Sequence, residues 1–386
     1  MKDMNVKNQK QATENQEQAL HLMRFFAQIA EKAGYTIAGV AAAYEISEAP
    51  GMISFGICML IFASLQSQLV HIWGVSLSPQ TLRLGLMFRA LSFTALAYGA
   101  VNHSIGFMLF GASLSGLFVG LFWPTFYTMK KTKIEGWFAV EKTSGVLLTI
   151  STGFLLLYTE LLWVLFFSIA ATLVSLTLTF RLQTEPFEQC RGDSAVPPQA
   201  YSARRLALLD GAIGESLRMI RRLALLTGTV TLLNLDGLFS FALVLGISEA
   251  LGAIMSKLGW FSGRDFVYVA IFGSFLCIMG NGYWLLGLIL LGMSLSALFP
   301  LLHSEMKDRL LGFHIIDLNF RERYRIKGRV AGAIFASGVY LFGMPLELVF
   351  IFIIVSLLVL ANTSNSISPL SLLSLKLTKS SVKPTQ

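Results

Sequence analysis

Few side chains in this sequence could do chemistry, and those few sit in unusual company. Glu45, Arg89 and Glu249 are ionisable residues inside long apolar stretches. A charge at the centre of a bilayer costs about 2.5–3.5 kcal/mol on insertion scales, so such a group normally has a partner or a task. Glu45 follows Tyr44 and precedes Glu48. It reads either as a cavity acid that takes a proton or a cation, or as a hydrated residue at a helix tip. Arg89 lies beyond Arg83 by a helical rise of about 9 Å. It either snorkels back to the inner surface or serves a cavity or an ion pair. Glu249 is an intramembrane carboxylate if the chain turns at Asp236, and a loop residue otherwise; Asp236 has the opposite dependence. Gln66 falls near the middle of its apolar stretch. In Trp123-Pro124-Thr125-Phe126-Tyr127 the proline can bend a helix, and Trp123 and Tyr127 either stack on a solute or anchor the helix at the membrane interface. His303, four residues before Lys307, reads either as a group that titrates near neutral pH or as a surface-facing residue.

Enzyme signatures are missing from the sequence. It has no GxxxxGK[ST] phosphate loop and no HExxH, and no His, Cys and carboxylate cluster with metal spacing. Cys58, Cys190 and Cys277 are far apart and form no CxxC pair, as expected of small buried hydrophobes. The run from Gly111 through Ser113 and Ser115 to Gly116 resembles a serine-hydrolase turn only superficially, since it lacks the GxSxG spacing. Small-residue helix packing explains it better. No enzyme activity, cofactor or metal is expected.

The elements that must hold these residues follow from composition and charge. Apolar residues make up 54% of the 386 positions and charged ones 13%, with a mean hydropathy of +0.65. A soluble domain carries about a quarter charged residues, so this is a polytopic membrane protein. The 30 Lys and Arg residues are absent from six blocks, 33–82, 90–129, 143–180, 223–256, 265–306 and 330–375. One crossing takes about 20 residues, so each block predicts two helices joined by a tight turn, giving twelve transmembrane helices in all. Turn chemistry marks the middles at Ser47-Glu48-Ala49-Pro50-Gly51, Asn102-His103-Ser104, Asn281-Gly282 and Met344-Pro345. The shortest block, 223–256, reads as a cramped pair turning at Asp236-Gly237, or as one long helix from Leu223 to about Gly246 with a re-entrant piece after it.

The net charge of +8 is chiefly an orientation signal. Lys and Arg collect on the cytoplasmic side, which places both termini inside and the tips outside, in an inner or plasma membrane. Nucleic acid is therefore not an expected partner. The expected organisation is a disordered tail at 1–18, a six-helix half at 19–180, a cytoplasmic central loop at 181–222, a second six-helix half at 223–362 and a tail at 363–386. No cleavable signal peptide is expected, because residues 1–18 are polar and no apolar core with a small-residue cleavage site follows. Residues 19–32 read as an amphipathic lead into the first span. Within the central loop, 204–222 reads as an amphipathic helix lying on the inner surface against anionic lipid. The basic run in 307–329 reads as a solvated inner segment.

The halves echo each other. Gly116-x-x-x-Gly120-x-x-x-Pro124 parallels Gly292-x-x-x-Ser296-x-x-x-Pro300, and Lys142-Thr-Ser-Gly145 parallels Arg329-Val-Ala-Gly332. Small residues at such spacings let helices approach closely, and two halves of matching topology are a transporter signature. Two six-helix halves, a basic central loop and both ends inside resemble the major facilitator superfamily. Gly252-Ala-Ile-Met-Ser-Lys257-Leu-Gly259, followed by Gly263-Arg264-Asp265, resembles that family's glycine-rich basic loop motif. The matching first-half stretch keeps only Gly74 and Arg83. The resemblance covers about residues 20–362. It implies alternating access around a central cavity lined mainly by the first, fourth, seventh and tenth helices, moving a small solute with or without protons. The eroded first-half motif leaves open an alternative, a non-transporting membrane scaffold that keeps the fold.

Overall fold

The computed structural model describes residues 18–72, 78–129, 137–182, 198–226, 237–258, 261–311 and 318–364, and the regular structure in them is helical throughout. The first helical run starts at residue 18, becomes π-helical over Glu31–Gly39 and continues as Val40–Ile72. Ser47 and Glu48 have non-helical dihedrals, with φ of 48° at Glu48, so this run is two helices meeting at a corner. We call the arm before the corner α1 and the arm after it α2. Pro50 helps to set the corner, because it lacks the N–H of a continuous helix. Gly51 closes it, since a Cβ there would collide with the Ala43 carbonyl. The first predicted tip is thus a corner of this kind.

The remaining helices are α3 (Pro79–Val101), α4 (Ile105–Met129), α5 (Trp137–Tyr158), α6 (Leu161–Leu178), α7 (Pro198–Leu226), α8 (Gly237–Leu258), α9 (Gly263–Met279), α10 (Trp284–Leu311), α11 (Leu318–Leu341) and α12 (Glu347–Thr363). The predicted turns fall between them. Asn102 Nδ2 donates to the Tyr98 carbonyl at 2.9 Å and His103 takes φ of 46°, which turns the chain from α3 into α4. A 3-10 turn at Asn281–Tyr283 joins α9 to α10, and Gly343 with φ of 63° starts the turn through Met344 and Pro345. Among the described residues, six helical stretches are long and apolar enough to cross a membrane: 18–69, Pro79–Val101, Ile105–Phe126, Leu161–Arg181, Phe239–Ser256 and Trp284–Leu302. The chain is a multi-pass, all-helical membrane protein.

Contacts divide it into two compact units. The first comprises 1–191, 222–246 and 318–323; the second comprises 192–221, 247–317 and 324–386. In the first, α4 packs on α2 and α3, and α3 on α6. Gly116 lies against the backbone of Met59 and Ala63, and Gly120 against Gln66, so the small residues of α4 seat α2. In the second, α9 packs on α10 and α12, and Gly252 of α8 lies against Met293 and Ser296 of α10. The paired glycines behave alike. Gly145 faces Gln28 and Lys32 of α1, and Gly332 faces Ala212 and Ser216 of α7.

The structure refines four expectations. Residues 19–32 are helical and run without a break into the first span, and their inner face is packed, with Met23, Ala27 and Ala30 in the core and Ser175 Oγ donating to the Met23 carbonyl at 2.8 Å. The helix at 204–222 exists, inside the longer α7, but its apolar residues are packed within the protein rather than exposed. Leu206, Ala207, Ile213, Met219 and Ile220 are all fully buried, leaving no exposed apolar stripe to lie on lipid. Among the described residues, the block 223–256 holds the end of α7 and most of α8 (Gly237–Leu258); Asp236, the expected turn, lies outside the described residues. The second part of the basic run in 307–329 forms the first half of α11, where Arg325 and Arg329 are half-buried and Lys327 is exposed.

Candidate functional site

Arg89 sits in the middle of α3 and is 1% exposed. It does not snorkel. Its guanidinium carbon lies 4.8 Å from the Phe93 ring centre, 4.6 Å from Phe118 and 5.3 Å from Tyr35. Aromatic faces attract a cation in this range. Nη1 donates to Ser115 Oγ at 3.0 Å, and Ser115 is tied to Ser92 Oγ at 2.8 Å. Nε and Nη2 have no hydrogen-bond partner. The cage draws on α1, α3 and α4, and its Phe118 begins a row of α4 phenylalanines at i, i+4 and i+8: Phe118 stacks on Phe122 at 4.9 Å and Phe122 on Phe126 at 6.1 Å.

Glu45 is elsewhere in the same unit. It lines a cavity of about 470 Å³ at the tip end of α1, α3, α5 and α6, together with His103, Thr159, Glu160, Ala41 and Leu156. The sequence places His103 in a turn, and the structure sets Glu160 near it. The structure brings them together with Glu45, two carboxylates and an imidazole around one cavity that could hold a proton or a cationic group.

The second unit contains charges that little in the sequence marks out. Arg221 of α7 is 4% exposed and donates through Nη2 to the Leu288 carbonyl at 2.9 Å and to Ser248 Oγ at 3.3 Å. Gly292 lies against its guanidinium, where a Cβ would overlap it. Glu249, half-buried next to Ser248, acts on Arg221 through its charge. Glu249 thus lies within α8 and close to a buried cation.

Lower on the same helix, Arg325 Nε of α11 pairs with Asp210 at 2.8 Å, and Arg329 Nε pairs with Glu215 at 2.9 Å. Arg218 adds a second bond to Glu215 at 3.1 Å. Both carboxylates are buried, at 5% and 1% exposure. Glycines make this seam possible: Gly211 lies on the Arg325 carbonyl, Gly328 on Leu208 and Gly332 on Ala212. A side chain at any of the three would push the helices apart and pull the ion pairs open.

The other candidates are used locally. Gln66 is half-buried against Gly120. Trp123 meets Phe122 edge-on at 5.1 Å, so its ring belongs to the aromatic row of α4; Tyr127 lies in the same helix. Of the loop motif, Gly252 is buried, Lys257 is near the end of α8, and Gly259 lies outside the described residues, as does Gly74. Arg264 Nε donates to Tyr268 Oη at 2.9 Å. Asp265 accepts from the Ser262 backbone N–H and hydroxyl, both at 2.7 Å, which caps α9. Arg83 donates to Thr179 and lies 4.4 Å from the Phe180 ring centre. Ser113 Oγ donates to the Leu109 carbonyl at 2.8 Å, the back-bonded position of a helix-packing serine.

No protein-family model and no curated protein matches the sequence. Solved structures do match along nearly the whole chain. A bacterial homologue of the iron transporter ferroportin, in an inward-facing state, is 14% identical with a TM-score of 0.64, covering 90% of this chain and 98% of that one. A peptide transporter POT in complex with sulfate is 11% identical with a TM-score of 0.64, covering 90% and 94%. The human organic anion transporter MFSD10 is 14% identical with a TM-score of 0.60, covering 89% and 99%. At these identities the likeness is one of fold. The chain has the fold of the major facilitator transporters, and its solved neighbours are transporters.

Proposed function

We propose that this protein is a secondary transporter that moves a small solute by alternating access. The observation that carries the reading is the end-to-end likeness to transporters, which spans both chains rather than one domain of a larger machine. In this reading α1 to α12 are twelve crossings in two six-helix halves, and α7 opens the second half in place of the central-loop helix. The termini and the basic loops face the cytoplasm by the distribution of Lys and Arg. Proton coupling would run through Glu45, in its cavity with His103 and Glu160, or through Glu249 beside Arg221. A solute screen by thermal shift on the purified protein tests the function, with a rise in Tm for one solute class expected. Glu45→Gln combined with Glu249→Gln tests the coupling: uptake should lose its pH dependence, and unchanged dependence would remove protons from the mechanism.

One observation favours a second reading, a scaffold that keeps the fold without transporting. Arg264 and Asp265, the charged residues of the loop motif, are held by Tyr268 and Ser262 of their own helix start. Stable co-purification of another protein, with no solute response across a broad panel, would decide for the scaffold.

A further inference from the structure

Arg89 is solvated by its own protein on every side but one. Phe93, Phe118 and Tyr35 surround the guanidinium, and Ser115 takes Nη1. The edge left over carries Nε and Nη2, neither of which has an acceptor. These two N–H groups are parallel and form the side-on fork that arginine presents to a carboxylate. A buried cation with an empty fork is costly, because its unmade hydrogen bonds are not replaced by water. At 1% exposure no dissolved anion reaches it in this state. The acceptor must come from the chain.

One carboxylate is placed to supply it. Glu31 is the acid whose charge acts on Arg89. It lies on α1, one turn before Tyr35, whose ring already faces the guanidinium. Glu31 is half-buried, and among the described residues its carboxylate makes no hydrogen bond or ion pair. It is also the first residue of the π-helical stretch Glu31–Gly39. A π turn holds an extra residue, and passing that residue along the helix rotates the arm on one side of it by about 100°. Thr36 Oγ1 marks the wide turn by donating to the Glu31 carbonyl five residues back, at 3.2 Å. The arm at 18–30 is held in its present setting by Ser175 Oγ on the Met23 carbonyl.

We propose that Glu31 is a positioning residue that closes an ion-pair latch onto the Nε and Nη2 fork of Arg89 in a second state of α1, with the π-helical stretch as the element that shifts register. The latch deepens the transporter reading, and rests on it only for what the movement gates: a switch in the first helix would set the inner arm of α1 in one of two positions.

The test reads the arm directly. In a background without Cys58, Cys190 and Cys277, spin labels go at Leu22 on the arm and Leu84 on α3, which are 38% and 45% exposed. Pulsed EPR should give two distance populations. Glu31→Gln should abolish one, Glu31→Asp should keep it, and Ser175→Ala should enlarge it by freeing the arm. Arg89→Lys keeps the charge but loses the fork and should also abolish it. Should Arg89→Lys not fold, the Glu31 variants still decide. A single population in the parent, or the same two populations in Glu31→Gln, overturns the latch. So does recovery of the second population in Glu31→Gln on adding inorganic phosphate or acetate, which would make the fork a receptor for dissolved anions. A latch that closes in a protein no solute stabilises would stand while the transporter reading falls.

Discussion

Arg221 and Gly292 fit as a pair. The guanidinium occupies the space that a side chain on α10 would fill, so Gly292→Ala forces an arginine held by Ser248 and Leu288 out of place. Overpacking of this kind costs about 1–3 kcal/mol, and the thermal midpoint of the purified protein should fall accordingly. Gly338 of α11 is the control: nothing lies within 4 Å of a Cβ there, and alanine is the better helix former by up to about 1 kcal/mol. Gly338→Ala should leave the midpoint unchanged or raise it. The serines of α4 separate in the same way. Ser115 accepts the hydrogen bond of a buried guanidinium, and its loss should cost about 1.5–3 kcal/mol. Ser113 bonds back to its own helix and meets Cys58 Sγ at 3.3 Å. Ser113→Ala should therefore melt close to the parent while Ser115→Ala melts clearly lower. The reverse order would mean that the cage does not depend on its serine.

At the scale of elements, the seam between α7 and α11 joins buried charges of the second unit. Glu215 takes bonds from Arg329 and Arg218, so Glu215→Gln leaves a cation facing a neutral amide. Breaking one side of a buried pair costs about 3–5 kcal/mol, whereas removing both sides can be nearly neutral. Glu215→Gln and Arg329→Gln should each lower the thermal midpoint strongly, and the double variant should recover much of the loss. Additive losses would show that the two side chains are not coupled. This seam is also where the sequence was hardest to read. The hairpin tips were legible because turn chemistry is local: Pro50, Asn102, Asn281 and Pro345 stand where the chain reverses. The internal repeat was legible because Gly145 and Gly332 keep the same spacing to their neighbours. α7 was legible as a helix but not in its burial, because hydropathy counts each of its charges as a cost. Asp210 and Glu215 are compensated by Arg325 and Arg329, far along the chain, and no window over α7 contains those partners. The same blindness turned the start of α11 into a solvated loop. Arg89 stood out as an intramembrane charge, but its aromatic cage comes from three helices, and only folding assembles it.

At the scale of the molecule, α7 changes what the positive charges report. Arginines at 204, 205, 218, 221 and 222 lie along one helix rather than on one surface. Its 29 residues reach about 43 Å at 1.5 Å per residue, more than the hydrocarbon thickness of about 30 Å. Arg205 and Arg218 are the two exposed arginines of the helix, and the rise between them is about 20 Å. If α7 crosses, these two positions stand at different depths; if it lay on the inner surface, both would meet the same water. Single cysteines at the two positions, in a background without Cys58, Cys190 and Cys277, separate the cases by labelling with a membrane-impermeant maleimide. Inside-out vesicles should label Arg205→Cys readily and Arg218→Cys slowly or not at all. Right-side-out vesicles should leave Arg205→Cys unlabelled. Equal labelling of both from the inner side would return α7 to the surface, and with it the expectation that anionic lipid is what its arginines meet.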